Sequence, residues 1–420
     1  MGRALLVIAV LALAAGGAVL AGGGVRTFPG PHFDRPAAKA PPGDDVLVSR
    51  LMEGRARAVA DPRALAATST GAQRARDRRT ARRAARLGLT RLSGEVADLE
   101  VRGRSARAVV RFRYGVRGIA GQYTTAQVLR AVKTSRGWRV RSVSGTRGRP
   151  PWEVADQRRS RSKHFVVWAP AEIDPRAGGL LTALEAGYAR MREVLRRGRL
   201  RRRYLVVVAG DARQARALTA QIRGIESLAA ITDSEVRQDG PAERVVEVAS
   251  QRLLVVWPNF IDVDPEGKAT VVTHELTHAA VAGVTSGRTP SWLVEGLALY
   301  VSGDRRVDEA AQRVVSGTGN RRALSLTGLT PPGAIGRVEG EGQSDAYAYS
   351  SAAAFYIAER FGQDKLLSLY DAYNDEALEG SGARLTDRAV RRELGLPLRR
   401  LERDLRAWIL ARAIADPLAP

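Results

Sequence analysis

The stretch VVTHELTHAAVAG, Val271 to Gly283, holds two of the four histidines in a chain of 420 residues. Ahead of it, Asp264-Pro265-Glu266 supplies a capping side chain, a proline suited to the first helical position and an acid in the first turn. Gly283 follows the last apolar residue as a stop, so the spacing predicts a helix. On a helix, residues four apart lie one turn apart on the same face, and the imidazoles of His274 and His278 can converge on one ion. Glu275 lies beside them, where a carboxylate can take a proton from metal-bound water without being a ligand.

Two imidazoles do not complete such a site, because a catalytic zinc usually takes three protein ligands and keeps a fourth position open. An extended motif with a third histidine needs Gly at 281 and His at 284, but Val281 and Val284 stand there. No histidine follows His278, so the third ligand must be a carboxylate. The candidate lies in TPSWLVEGLALY, where Thr289-Pro290 opens a second helix and Glu295 sits one turn inside it. Sixteen residues separate it from His278, enough to fold the second helix back onto the first.

HELTH followed by WLVEGLA resembles the gluzincin-type zinc metallopeptidases of the peptidase MA-like group, which includes thermolysin-like enzymes and zinc aminopeptidases. The resemblance implies one Zn2+ per chain held by His274, His278 and Glu295, with Glu275 as general base and a peptide or protein as substrate. The segment YAYSSAAAFYIAERFG is similar to the aminopeptidase segment whose tyrosine donates its hydroxyl to the oxyanion. Tyr349 is the matching position, and Tyr347 is the alternative. The G-x-M-E-N segment that holds a free amine in the aminopeptidases is missing, which points to an endopeptidase. RLLVVWPNF, just before the metal helix, is a candidate edge strand for an extended peptide; its other reading is a core strand.

The N-terminal segment MGRALLVIAVLALAAGGAVLAGGGVR has Arg3 and an apolar run from Ala4 to Val25. Residues 1–25 therefore read as a signal peptide or a retained membrane anchor. The chain contains no cysteine, which excludes lipoprotein attachment, disulfides and thiolate metal sites. The expected location is exported, either membrane-anchored or extracellular, at a bacterial cell surface. Residues 26–44 form a proline-rich linker in which His32 is solvent-exposed.

Residues 45–148 read as one or two helices followed by four antiparallel strands, LSGEVADLEVRG, SARAVVRFRYGV, YTTAQVLRAVKTS and GWRVRSVSG. That order resembles the nuclear transport factor 2-like cone fold, with a cystatin-like sheet as the rival. A basic linker spans 149–163, and residues 164–413 form the gluzincin-like domain. His164 opens the buried run HFVVWAP as a structural histidine. The domain continues with a helix in LLTALEAGYARMREVLRRG, strands in YLVVVAG, RVVEVA and RLLVVWP, and helices at 291–301, 350–361, 364–373 and 387–413. The expected class is α+β: a small helix-plus-antiparallel-sheet domain, then a mixed sheet followed by a mainly helical part.

The formal charge is +23, from 67 Lys+Arg against 44 Asp+Glu. It is uneven: residues 1–203 hold 42 basic and 15 acidic side chains, residues 204–420 hold 25 and 29. Residues 101–150 contain thirteen basic residues and no acid, so one sheet face is expected to be strongly positive. Sixty-two of the basic residues are Arg, whose codons are GC-rich, and genome composition accounts for much of the excess. The remaining reading gives the basic half an anionic surface polymer or lipid headgroups as partner; export disfavours nucleic acid. A rival function is a cell-surface binding protein that uses this basic domain, with a degenerate or structural metal site.

Overall fold

The computed structural model describes residues 43–415, apart from 146–147, 196, 220–223, 241–242, 318 and 339. The apolar N-terminal run and nearly all of the proline-rich linker, with His32, lie outside the described residues. Among the described residues no helix is long and apolar enough to cross a membrane. The chain forms two compact units, one reaching Arg159 and including Arg216–Gln221, the other built mainly on Ser160–Ala215 and the residues from Ile222 onward.

The first unit begins with helices α1 (Asp44–Arg57), α2 (Pro62–Ala67) and α3 (Gly71–Ala85). The strands β1 (Leu89–Arg102), β2 (Ser105–Val116), β3 (Tyr123–Thr134) and β4 (Gly137–Gly145) follow, and then the short helix α4 (Pro151–Val154). The four strands make an antiparallel meander in chain order. Side chains alternate across a strand. Ala106, Ala108 and Val110 of β2 therefore turn inward, to pack with Val48 and Met52 of α1. Arg107, Arg111 and Arg113 turn outward, where they meet acids of β1: Asp98 at 3.1 Å and Glu95 at 3.3 Å from both Arg111 and Arg113. The positive face expected from residues 101–150 is thus partly balanced, because the compensating acids stand on the preceding strand.

The second unit contains a five-stranded sheet in the order β5-β6-β7-β9-β8. The strands are β5 (Gln157–Arg161), β6 (Phe165–Pro170), β7 (Tyr204–Ala209), β8 (Ala230–Asp239) and β9 (Arg244–Val256). Helix α5 (Leu180–Val194) precedes β7, and α6 (Ala212–Leu218) follows it. Strands β6, β7 and β9 run parallel, and β8 runs antiparallel to β9. β6 and β7 are buried along their whole length, as expected of parallel strands covered on both faces. His164 stacks on Tyr188 at 3.8 Å between centroids, and its Nδ1 lies 2.6 Å from Glu185 Oε2.

Helices complete the chain: α7 (Trp257–Ile261), α8 (Pro265–Val281), α9 (Ser291–Ser302), α10 (Val307–Ser316), α11 (Glu341–Phe361), α12 (Gln363–Ala372), α13 (Gly382–Leu394) and α14 (Leu398–Ala415). The fold class is the expected one, an antiparallel sheet with helices followed by a mixed sheet and a mainly helical part. Several details differ from the expectation. RVVEVA and RLLVVWP join into the single strand β9, which lies between β7 and β8, so RLLVVWPNF is not an edge. The edge is β8, whose polar sequence AITDSEVRQD gave no strand signal. The helix expected over 387–413 is two, because Gly395 adopts the left-handed conformation at φ 75° and Pro397 cannot continue α13.

Candidate metal centre

Helix α8 starts where the capping residues require: the Asp264 carboxylate accepts the Gly267 N–H at 2.7 Å and Pro265 takes the first helical position. Residues 271–277 and 279–281 are all buried, so the helix is enclosed nearly all round. His274 Nε2 and His278 Nε2 face each other at 3.0 Å, with the rings 76° apart in plane.

The loop after α8 returns the chain so that α9 packs across it, bringing Glu295 Oε2 to 3.3 Å from His274 Nε2 and 3.7 Å from His278 Nε2. Gly296 permits this seat. A Cβ there would lie 2.6 Å from the Ser350 carbonyl oxygen of α11, so only glycine lets α9 press this closely. The same holds on the other side of α8, where a Cβ at Gly187 of α5 would lie 2.8 Å from Thr273 Oγ1.

The three donor atoms can be tested against a metal. Tetrahedral bonds of about 2.0–2.1 Å to nitrogen and oxygen place neighbouring donors about 3.3–3.4 Å apart. The observed separations of 3.0, 3.3 and 3.7 Å bracket that value. Two imidazoles and one carboxylate also match zinc in donor type. Burial pushes the Glu295 carboxyl up, but His278 and His274 outweigh it and hold it below the usual carboxylate range. Burial pulls His278 down, and the Glu295 charge and hydrogen bond more than reverse this.

Glu275 is set apart from this triangle. Its Oε2 accepts the Thr232 backbone N–H at 2.7 Å, and the Thr232 hydroxyl donates to the Glu275 carbonyl at 2.5 Å. Oε1 has no hydrogen-bond partner among the described residues. Burial raises the Glu275 carboxyl above its ordinary range, only partly countered by His278 and His274. Thr232 is the site residue that sequence reasoning missed. No local signal marks it, since the segment is rich in Asp, Ser, Glu and Gln and its apolar residues Ile231 and Val236 do not alternate.

The two tyrosines of α11 diverge, since positions two apart on a helix point about 200° apart. Tyr347 lines a small cavity with His274, Leu299, Asp304 and Arg306. Tyr349, fully buried, has the Arg406 guanidinium of α14 at 5.9 Å from its ring centroid. Burial, then the Glu402 charge, raises its hydroxyl's pKa. Tyr347 thus shares a cavity with His274, while Tyr349, the position of the matching segment, lies toward α14.

Residues 255–411 match the family model of the Peptidase MA superfamily. The matched segment runs from the end of β9 into α14 and contains His274, Glu275, His278 and Glu295. No curated protein and no solved structure matches the chain. The peptidase MA match supports a gluzincin-type peptidase-like fold and a metallopeptidase-like function for this segment, in a superfamily that is typically metal-dependent.

Proposed function

We propose that the protein is an exported zinc metallopeptidase that cleaves peptide bonds, with His274, His278 and Glu295 holding one Zn2+ and Glu275 acting as general base. The observation that carries this reading is the convergence of three donor atoms, from buried His274 and Glu295 and part-buried His278, at separations of 3.0, 3.3 and 3.7 Å. When bound, the zinc would supply a Lewis acid that acidifies a water and polarises the scissile carbonyl.

The chain's own groups divide the remaining work. Thr232 fixes one Glu275 oxygen and leaves Oε1 to accept a proton and pass it to the departing amine. Tyr347, beside His274, is the phenol better placed to steady the negative oxygen of the tetrahedral intermediate. Strand β8 is an edge, less buried beyond Thr232, so an extended peptide can add to it there, next to the residue that holds Glu275. An edge site of this kind accepts chain on both sides of the cleaved bond, and the missing amine-holding segment favours an endopeptidase.

The membrane, an anionic surface polymer and lipid headgroups belong to this reading only through the apolar N-terminal run and the basic first half. The test of the mechanism is Glu275→Gln, assayed for peptide hydrolysis and for metal content. Hydrolysis is expected to vanish while the metal stays. Unchanged turnover overturns the role of Glu275.

A further inference from the structure

The first unit holds a cavity of about 290 Å³, open to solvent on one side, between α1, α3 and strands β2 to β4, near the lower end of small-molecule pockets. One wall is apolar: Met52, Val110, Phe112 and Leu129 all line it and all are buried.

The polar lining is of two kinds. The Asp77 carboxylate is saturated. It accepts from Arg55 Nη1 and Nη2, each at 2.6 Å, from Gln73 Nε2 at 2.7 Å and from the Ser69 hydroxyl. That ion pair is neutral and has no acceptor position to spare. Arg149 differs. Its Nη2 donates to the Glu153 carbonyl at 3.2 Å, but its Nε stands 3.7 Å from Glu153 Oε2, beyond hydrogen-bond range. Nε is buried and has no hydrogen-bond partner among the described residues. The Glu153 carboxyl accepts from Gln127, and burial raises its pKa against the pull of Arg149. Arg149 is thus half-exposed, ion-paired to Glu153 only at 3.7 Å and left with an unbonded Nε, and the exposed Arg76 lines the same cavity.

We propose that this cavity binds a small amphiphilic carboxylate, with its apolar body on Met52, Val110, Phe112 and Leu129 and its head on Arg149 and Arg76. A guanidinium fork matches a carboxylate in shape and charge, whereas an alcohol or an ammonium head leaves Arg149 as it is or repels it. The inference stands apart from the metal centre and does not depend on it.

The test is calorimetric titration of the full chain with octanoate, octanol and octylammonium, with folding monitored by the thermal midpoint. Saturable one-to-one binding of octanoate is expected, with octanol weaker by about tenfold or more, the scale of a lost charged hydrogen bond. Arg149→Gln, a partly exposed side chain whose change leaves the core intact, is expected to weaken octanoate by about the same factor. Leu129→Trp is expected to abolish binding by filling the space, and Val110→Phe serves if that variant fails to fold. Absence of saturable octanoate binding to the wild type overturns the proposal. So does equal binding of octanol, or octanoate binding unchanged by Arg149→Gln or by a folded cavity-filling variant.

Discussion

Thr232 and Glu275 hold each other by two hydrogen bonds, one from the Thr232 backbone N–H to the Glu275 carboxylate and one from the Thr232 hydroxyl to the Glu275 carbonyl. The edge strand and the metal helix are thereby fastened at the residue proposed to move the proton. Thr232→Val removes the hydroxyl and keeps the N–H that fixes Oε2. The expected loss is about 1 kcal/mol of stability with kcat lowered by less than about tenfold. Denaturant unfolding and steady-state kinetics on one preparation check both numbers.

Glu295→Gln takes the anionic donor from the triangle and leaves two imidazoles. Loss of a group that merely orients a ligand costs about 10–100-fold in metal affinity, so loss of the ligand itself is expected to cost more than about a hundredfold. Competition with a calibrated zinc chelator measures this directly.

Gly296→Ala drives a methyl to 2.6 Å from the Ser350 carbonyl oxygen, a backbone atom that cannot swing aside. Helix α9 must then move and carry Glu295 with it. A destabilisation of about 1–3 kcal/mol is expected, together with weaker zinc binding. A normal metal affinity at lowered thermal midpoint would show that Glu295 is not positioned by this contact.

Much of the candidate metal centre's geometry was legible because its signals are local. The Asp264-Pro265 cap, the four-residue spacing of His274 and His278, and the proline ahead of Glu295 each act within one or two turns. What escaped was non-local. β8 exists because β9 offers it a partner and α8 covers its first residues, not because AITDSEVRQD favours a strand. The surroundings of Tyr349 likewise depend on where α14 packs, since Arg406 lies over its ring. In the first unit, period-two alternation gave all four strands, yet the acids that balance β2 stand on β1 and make sense only once the two are paired.

Acid should loosen the second unit at His164. Burial pushes the Glu185 carboxyl up, but hydrogen bonds from the Ser162 hydroxyl and from the backbone and ring of His164 outweigh it and hold it below its ordinary 4.5. A depressed folded value means stabilisation that is full above the unfolded value and lost as pH falls through the folded one. Glu185→Gln is therefore expected to be less stable than wild type near neutrality, and the two should converge once the pH has fallen through the depressed folded value, below 4.5. Urea midpoints measured across that range check the sign; a constant gap between the two curves would contradict it.

The central claim is that His274, His278 and Glu295 bind one catalytic zinc. Its most direct test is zinc content of the purified chain alongside digestion of a peptide library, before and after chelation and after zinc is returned. The account predicts about one zinc per chain, cleavage lost on chelation and cleavage restored by zinc. A chain that binds no zinc, or that cleaves equally well after the metal has been removed, would contradict it.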